Sequence, residues 1–371
     1  MQIKPCIYNV GVGDNNAYLI TGETNALIDT VAKYHADKLI ENIEKIFPVY
    51  ELDYIVINHT EQDKTGAIKA ILEKNPDIEI VSTVAGLRNL KEMLNCDFNE
   101  RVAKDNGTLD LGDGIILKFL ITPNVNWPDS MVTYDTKNKI LFSCDLFSEY
   151  GEDEDYMTSL FTYYSEKLNP NEEYVRYALE RIAKEDIKML CPGYGRCGEA
   201  VNVKEVIDFY SQISQERKSN AYDVAVIYAT HYENTEEMAE CIKNTLEKRG
   251  IKCAFADATQ DLYGYDEEEL LEADAFIFGT NTENRGADKE LMTFLAGTNA
   301  YKLRGKPFFT FGSYGWSGEG PQIVHNLLKS YGMKPFSKPF MSIFNMSDEK
   351  KDELIKHTQE FAEFISKENS K

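Results

Sequence analysis

The chain has 371 residues, of which 43% are hydrophobic, a length and composition that suit two domains with real cores. Asp and Glu number 62 against 40 Lys and Arg, and a net charge of -22 repels phosphate backbones, which argues against a nucleic-acid partner. No apolar run approaches the roughly 20 residues that cross a bilayer, and "MQIKPCIYNVGVG" lacks a signal-peptide core, so the expectation is a cytoplasmic protein with no membrane partner.

From the N-terminus, "NAYLITG" (16–22) and "TNALIDT" (24–30) read as a hairpin around Gly22. "ADKLIENIEKIF" (36–47) spaces Leu39, Ile40, Ile43, Ile46 and Phe47 along a helical face. "YIVINH" (54–59), "IEIVSTV" (78–84), "GIILKFLIT" (114–122), "SMVTYDTKNKILFSCD" (130–145) and "IKMLCPG" (187–193) are strands or strand pairs. Asn169 and Pro170 read as the cap and first-turn proline of a helix over "EEYVRYALERIA". Mixed strands with helices outside them suggest a two-sheet α/β sandwich. "VNVKEVIDFYSQIS" (201–214) is a further amphipathic helix, and polar "QERKSN" (215–220) reads as a linker. From Tyr222 strands and helices alternate regularly, the pattern of a doubly wound parallel sheet. The domains are therefore 1–220 and 221–371.

In "INHTEQDKTGA", His59, Glu61 and Asp63 stand at alternating positions past an apolar strand, as metal ligands would. Lys64 follows where a fourth ligand could stand, and a charged ammonium cannot ligate. Of five histidines only His35 and His59 lie in the first 220 residues. The seven cysteines form no C-x-x-C pair, so no zinc ribbon or rubredoxin-like iron site is encoded.

In the second half, "THYENT" (230–235) joins a strand to a helix whose Met238, Ala239, Ile242 and Leu246 form a buried stripe. Hydroxyls and free N–H groups at a helix N-terminus favour a phosphate, although such turns also simply cap helices. The triphosphate and dinucleotide glycine patterns are absent, which leaves a monophosphate. "FGTNTENRG" (278–286) and "FGSYGWSGEG" (311–320) also follow apolar strands. All three turns fall at carboxyl strand ends, where open parallel sheets bind ligands. Tyr314 and Trp316 among glycines suit a flat aromatic ligand.

These three turns resemble the FMN-binding loops of flavodoxin-like domains, and the last is similar to that of flavodiiron proteins. "NAYLITGETNALIDT", "INHTEQDKTGA", "TPNVNWPDSM" and "LFSCDLF" resemble, in order, the metallo-β-lactamase-like domain of the same family. The resemblance implies a metallo-β-lactamase-like αβ/βα sandwich followed by a flavodoxin-like doubly wound parallel sheet. It implies FMN held by Thr230, His231, Tyr232, Glu233, Asn234 and Thr235, with Thr280, Asn281, Thr282, Glu283 and Asn284. Ser313, Tyr314, Gly315, Trp316, Ser317 and Gly318 complete the flavin site. Thr230, Asn234 and Thr235 would hold the phosphate. Family members couple FMN to a diiron site and reduce O2 or NO, as head-to-tail dimers.

The iron ligands carry over incompletely. His59, Glu61, Asp63 and Asp145 match; Lys64, Asn126 and Tyr194 stand where the family has histidine. The expectation is therefore a degenerate site, with Lys64 among Glu61, Asp63 and Asp145 as an internal counter-ion. A single metal on His59, Glu61 and Asp145 is a second reading. A polar pocket with Lys64 and Tyr194 as acids is a third. The expected function is an FMN-dependent electron-transfer flavoprotein or oxidoreductase that lacks a diiron centre. It would draw on a separate redox protein or diffusible electron donor, as a head-to-tail homodimer or dimer of dimers. The alternatives are an O2 or NO reductase with altered iron ligation, and a flavin-binding sensor or interaction module without turnover.

Overall fold

The computed structural model describes residues 1–151, 155–215, 221–260 and 267–368. The chain forms two compact units, 1–216 and 217–371. Residues 216–220, nearly all of the expected linker, lie outside the described residues.

Strands of the first unit alternate their side chains between faces, and both faces are apolar because both are covered. Among the described residues its first sheet runs in chain order: β1 (Gln2–Lys4), β2 (Ile7–Asn9), β3 (Tyr18–Ile20), β4 (Ala26–Ile28), β5 (Tyr54–Val56), β6 (Glu79–Ser82) and β7 (Asn99–Val102). Pairing is antiparallel through β4 and parallel from β4 to β7. The second sheet comprises β8 (Thr108–Asp110), β9 (Ile116–Ile121), β10 (Met131–Asp135), β11 (Ile140–Cys144) and β12 (Met189–Pro192), in the order β12-β11-β10-β9-β8.

Tyr18, Ile20, Ile28, Val56 and Val81 of the first sheet pack with Leu117, Phe119, Ile140 and Phe142 of the second, forming the central core. The intervening Leu19, Leu27, Ile55 and Ile80 face the helices Ala36–Glu44, Ile68–Lys74 and Val84–Leu94. Leu120, Val132 and Leu141 face Tyr156–Tyr163, Glu172–Ile182 and Val203–Ile213. The result is the expected two-sheet sandwich with helices outside. Two local readings change. Asn169–Asn171 is a separate 3-10 turn, and the helix starts at Glu172 behind Asn171, whose side chain makes no capping bond. The first helix ends at Glu44, so Ile46, expected on its apolar face, is exposed.

The second unit contains β13 (Val224–Tyr228), β14 (Cys253–Asp257), β15 (Ala275–Gly279), the short hairpin β16 (Thr282–Glu283) and β17 (Gly286–Ala287), β18 (Pro307–Tyr314), β19 (Lys334–Pro335) and β20 (Phe340–Ile343). Its parallel sheet runs β14-β13-β15-β18, with β19 and β20 pairing successive parts of β18. Met238, Ile242, Leu354 and Phe361 cover one face and Leu291, Leu295, Val324 and Leu328 the other. The chain leaves β13 to one side for β14 and returns on the other for β15, so a topological switch point lies between β13 and β15. No described helix is long and apolar enough to cross a membrane.

Candidate functional site

The two units carry separate sites. In the first, His59 follows β5, Asn126 lies between β9 and β10, Asp145 follows β11 and Tyr194 follows β12. The turn after β5 is fixed by Asn58, whose backbone and side-chain N–H groups donate to the buried Asp29 carboxylate at 2.8 and 2.9 Å. A one-turn helix, Gln62–Thr65, then sets Asp63 and Lys64. Lys64 O accepts from both Thr30 N and Thr30 Oγ1, which pins that residue.

Lys64 is fully buried. Its Nζ donates to Gly193 O at 2.8 Å and lies 3.5 Å from the centroid of the Tyr194 ring. Asp63 Oδ2 is 3.9 Å away. This corrects the expected arrangement: the ammonium ends on a carbonyl and an aromatic face, with Asp63 its ion-pair partner. Glu61 and Asp145 are held by Asn126 instead. Its Nδ2 donates to Glu61 Oε2 at 3.2 Å and, in a short contact, to Asp145 Oδ2. An amide thus joins two carboxylates that would otherwise repel.

His59 is buried, with Nε2 3.6 Å from Glu61 Oε2 and 3.8 Å from Asp145 Oδ2. Its Nδ1 is 3.3 Å from Cys144 Sγ, and the Trp127 ring stacks parallel to it at 6.1 Å. Burial pulls the imidazole pKa down, but Asp145, Glu61 and Asp29 outweigh it and hold the value at about 9. Burial raises Asp63 to about 6 despite Lys64, with Glu61 and Asp145 adding to the rise. His59 Nε2, Asp145 Oδ1 and both Asp63 oxygens are buried without a hydrogen-bond partner. Sequence reasoning missed Cys144, Trp127 and Gly193. The first two adjoin Asp145 and Asn126 in the chain; the carbonyl of Gly193 carries no sequence signal.

In the second unit, the turns after β13, β15 and β18 lie at carboxyl ends of adjacent strands, and polar links brace them together. Thr235 is fully buried and its Oγ1 meets Ser313 Oγ at 3.0 Å, so this hydroxyl ties the first turn to the third. His231 Nε2 lies 2.8 Å from Oδ2 of the buried Asp288, whose Oδ1 caps the helix Lys289–Gly297. The His231–Asp288 contact links the first turn to the second, and within the second Asp288 N donates to Thr280 Oγ1 at 2.9 Å. Gly320 N donates to Thr282 Oγ1 at 3.1 Å, and Arg285 pairs with Glu319, joining the second to the third. Asn284 and Arg285, both left-handed, make the tight turn of the β16–β17 hairpin.

Tyr232 and Trp316 are exposed, at 86% and 96%. A Cβ on Gly312 would collide with Thr280 O, so this glycine permits the close approach of β18 to the second turn. Phe344, left-handed and exposed, covers Gly315 beside Trp316 and was not anticipated. Asp288 was likewise missed, since an aspartate opening a helix reads as an ordinary cap.

The family described as ODP family beta lactamase matches residues 14–195, and Flavodoxin matches 226–357. Flavo-diiron protein FprA2 of Clostridium acetobutylicum is 32% identical, the match covering 94% of this chain and 91% of the relative. The chain belongs to the flavodiiron protein family. An uncharacterised protein of Methanocaldococcus jannaschii is 29% identical over 90% of each chain. Among solved structures, rubredoxin oxygen:oxidoreductase from Desulfovibrio gigas aligns over 100% of both chains with TM-score 0.64 and 23% identity, a likeness of fold. The flavodiiron core of Flv1 from Synechocystis aligns with TM-score 0.56 and 26% identity, covering 95% of this chain and 90% of that one.

The flavodoxin domain and the flavodiiron homology support FMN as cofactor. The turns fit it: exposed aromatics flank them, and Asn281 Oδ1 is a buried acceptor without a partner, as a flavin ring N–H would require. The first unit does not fit two irons in the same way. Lys64 and Tyr194 close on each other as a cation and an aromatic face. Neither then offers imidazole, the favoured neutral donor.

Proposed function

We propose that this flavodiiron-family protein is an FMN-dependent electron-transfer flavoprotein or oxidoreductase that works without a diiron centre. The observation that carries the reading is the buried Lys64 ammonium, hydrogen-bonded to Gly193 O and stacked on Tyr194, two residues for which the family resemblance leads one to expect histidine. FMN, when bound, supplies one- and two-electron redox chemistry. The chain's part is to bind and orient it. Backbone N–H groups at the start of the helix Asn234–Glu247, with Thr230 and Asn234, would take the phosphate. Thr235, whose Oγ1 meets Ser313 Oγ, would join them at the phosphate. Tyr314 and Trp316, with the turn from Thr280 to Asn284, would flank the ring.

Electrons would come from a separate redox protein or a diffusible donor, and a head-to-tail homodimer or dimer of dimers is the assembly we expect from the family. The test is a combined measurement on anaerobically purified protein: FMN and iron per chain, flavin reduction by a low-potential donor, and consumption of O2 and NO. We expect stoichiometric FMN that reduces and reoxidises, with less than stoichiometric diiron and no NO consumption. Two irons per chain with NO or O2 turnover would overturn the reading in favour of a reductase with altered ligation. Bound FMN that no donor reduces would favour a sensor.

A further inference from the structure

We propose that Cys191 and Cys197 are a redox pair: hydrogen peroxide oxidises Cys197, and Cys191 then closes a disulfide that ties β12 to the segment returning past Tyr194. The inference goes beyond the electron-transfer reading and does not depend on it.

The register brings the two thiols together. Leu190 of β12 bridges Gly198 in the antiparallel sense, and Gly198 N donates to Leu190 O at 2.9 Å. One residue inward along each segment, Cys191 stands opposite Cys197. A pair next to a hydrogen-bonded one has its Cα atoms about 4.5 Å apart, inside the about 4.4–6.8 Å that a disulfide spans. Both side chains point the same way, into the core between the two sheets, whereas Leu190 points out toward the helices. Both are free thiols, at 0% and 7% exposure. Tyr18 lies against the pair: burial, then Cys191 and Cys197, push its hydroxyl pKa up.

The residues between the two cysteines are already held in place. Pro192 O accepts from the Tyr18 hydroxyl at 2.5 Å and from Asn16 Nδ2 at 3.0 Å. Gly193 N donates to Cys144 O at 2.5 Å, and Gly195 O accepts from Asn16 Nδ2 at 2.9 Å. Closing the bond therefore turns two side chains and leaves the backbone path as it is.

The oxidant reaches one sulfur first. Cys197 lines a surface cavity of about 570 Å3 with Asn9, Asn16, Gly195 and Arg196, and Asn9 Nδ2 donates to its Sγ at 3.6 Å. Cys191 is sealed from solvent. The Cys197 thiolate attacks one peroxide oxygen, the O–O bond breaks, and the departing hydroxide takes up a proton, which leaves a sulfenic acid and water. The Cys191 sulfur then attacks the Cys197 sulfur, the S–O bond breaks, and a second water departs. Two thiols and one peroxide thus give one disulfide and two waters; each sulfur loses one electron and the peroxide gains both. Burial pushes both thiol pKa values up, so thiolate is scarce at neutral pH and the pair oxidises slowly. The closed ring encloses Gly193, whose carbonyl accepts from Lys64, and Tyr194, whose ring faces that ammonium. Oxidation fixes the loop that houses Lys64.

The experiment treats the reduced-thiol, FMN-loaded full chain with hydrogen peroxide, then unfolds it, alkylates the remaining thiols and digests with trypsin. Cleavage after Lys188, Arg196 and Lys204 puts the two cysteines on separate peptides, 189–196 and 197–204. The bond then appears as a linked peptide pair that dithiothreitol separates. We expect this pair as the main disulfide, formed several-fold faster at about pH 9 than at about pH 7. Cys191→Ala should leave a sulfenic acid on Cys197 that dimedone traps, and Cys197→Ala should leave Cys191 reduced. The wild-type peptide map needs neither variant, so the test stands if one fails to fold. Hydrogen exchange at the amides of 193–196 should slow on oxidation; unchanged exchange removes the loop from the proposal. Both peptides recovered alkylated while the exposed Cys6 and Cys96 oxidise would overturn the inference. So would a linked pair joining other cysteines, or a sulfinic acid on Cys197 with no link to Cys191.

Discussion

Asn126 gives Glu61 and Asp145 a shared hydrogen-bond donor. Hydrogen bonds to buried charged groups contribute about 1.5–3 kcal/mol each, and losing one leaves the carboxylate without a donor. Asn126→Ala should therefore lower the urea midpoint of the first unit by an amount corresponding to about 2–3 kcal/mol in chelator. An unchanged midpoint in chelator would mean that water satisfies both carboxylates. At this scale His59, Glu61 and Asp63 were legible from spacing, Asp145 only through the family resemblance, and Lys64 as a departure from the pattern. What Lys64 bonds to was not. Its acceptor is a backbone carbonyl 129 residues away, a property of every residue and so of no sequence pattern. Asn126 could be read only as a lost imidazole; that its amide spans two carboxylates follows from the left-handed turn that carries it, φ 63°.

The three flavin turns depend on links between elements rather than on any one of them. His231 to Asp288 is the brace between the first and second turns, and Asp288 serves it with one oxygen while capping a helix with the other. Asp288→Asn keeps an oxygen for the cap but replaces the carboxylate oxygen that meets His231 Nε2. The contact is half-exposed on the His231 side, so its loss costs up to about 1 kcal/mol, and FMN should bind up to about fivefold more weakly with little change in melting temperature. A large fall in melting temperature with unaltered affinity would reverse that assignment and make Asp288 a cap alone.

The C-terminal helix Asp348–Glu368 carries a second element-scale prediction. His357 lies among the rings of Phe309, Phe336 and Phe340, with Ser337 Oγ at 3.0 Å from Nε2. Burial holds its pKa below the usual 6.5, with Glu360 opposing weakly. The fold therefore favours the neutral ring: its contribution is complete above the unfolded value and is lost as pH falls through the folded one. Melting temperature should drop between about pH 8 and about pH 5, and His357→Phe should flatten part of that drop. Identical pH profiles would remove His357 from the account. These elements were legible because period-2 and period-3.6 patterns follow directly from which faces are covered. The Asn169–Pro170 start was misread because a local cap motif served a separate 3-10 turn instead.

At the scale of the molecule the net charge of -22 governs encounters more than folding. The flavin turns add their own acids: Glu233 and Glu283 in the turns, Glu236 and Glu237 just after the first, and Glu319 beside the third, with Arg285 paired to Glu319. A donor reaching FMN approaches through a negative field, which lowers the local concentration of anions and raises that of cations. Exposed charges interact over roughly 10 Å at 0.1 M ionic strength, so the bias is strong in dilute salt and fades as salt is added. Reduction of the bound flavin by a cationic donor such as the methyl viologen radical should slow several-fold from about 0.01 M to about 0.3 M ionic strength. Reduction by the dithionite anion should quicken over the same range. Stopped-flow traces at the flavin absorption band measure both. If both donors respond with the same sign, the field at the flavin is not that of the whole surface, and a basic patch or a covered approach must govern access instead. If the signs oppose, the physiological donor is expected to present a positive face, which narrows the search for it to basic redox proteins and cationic mediators.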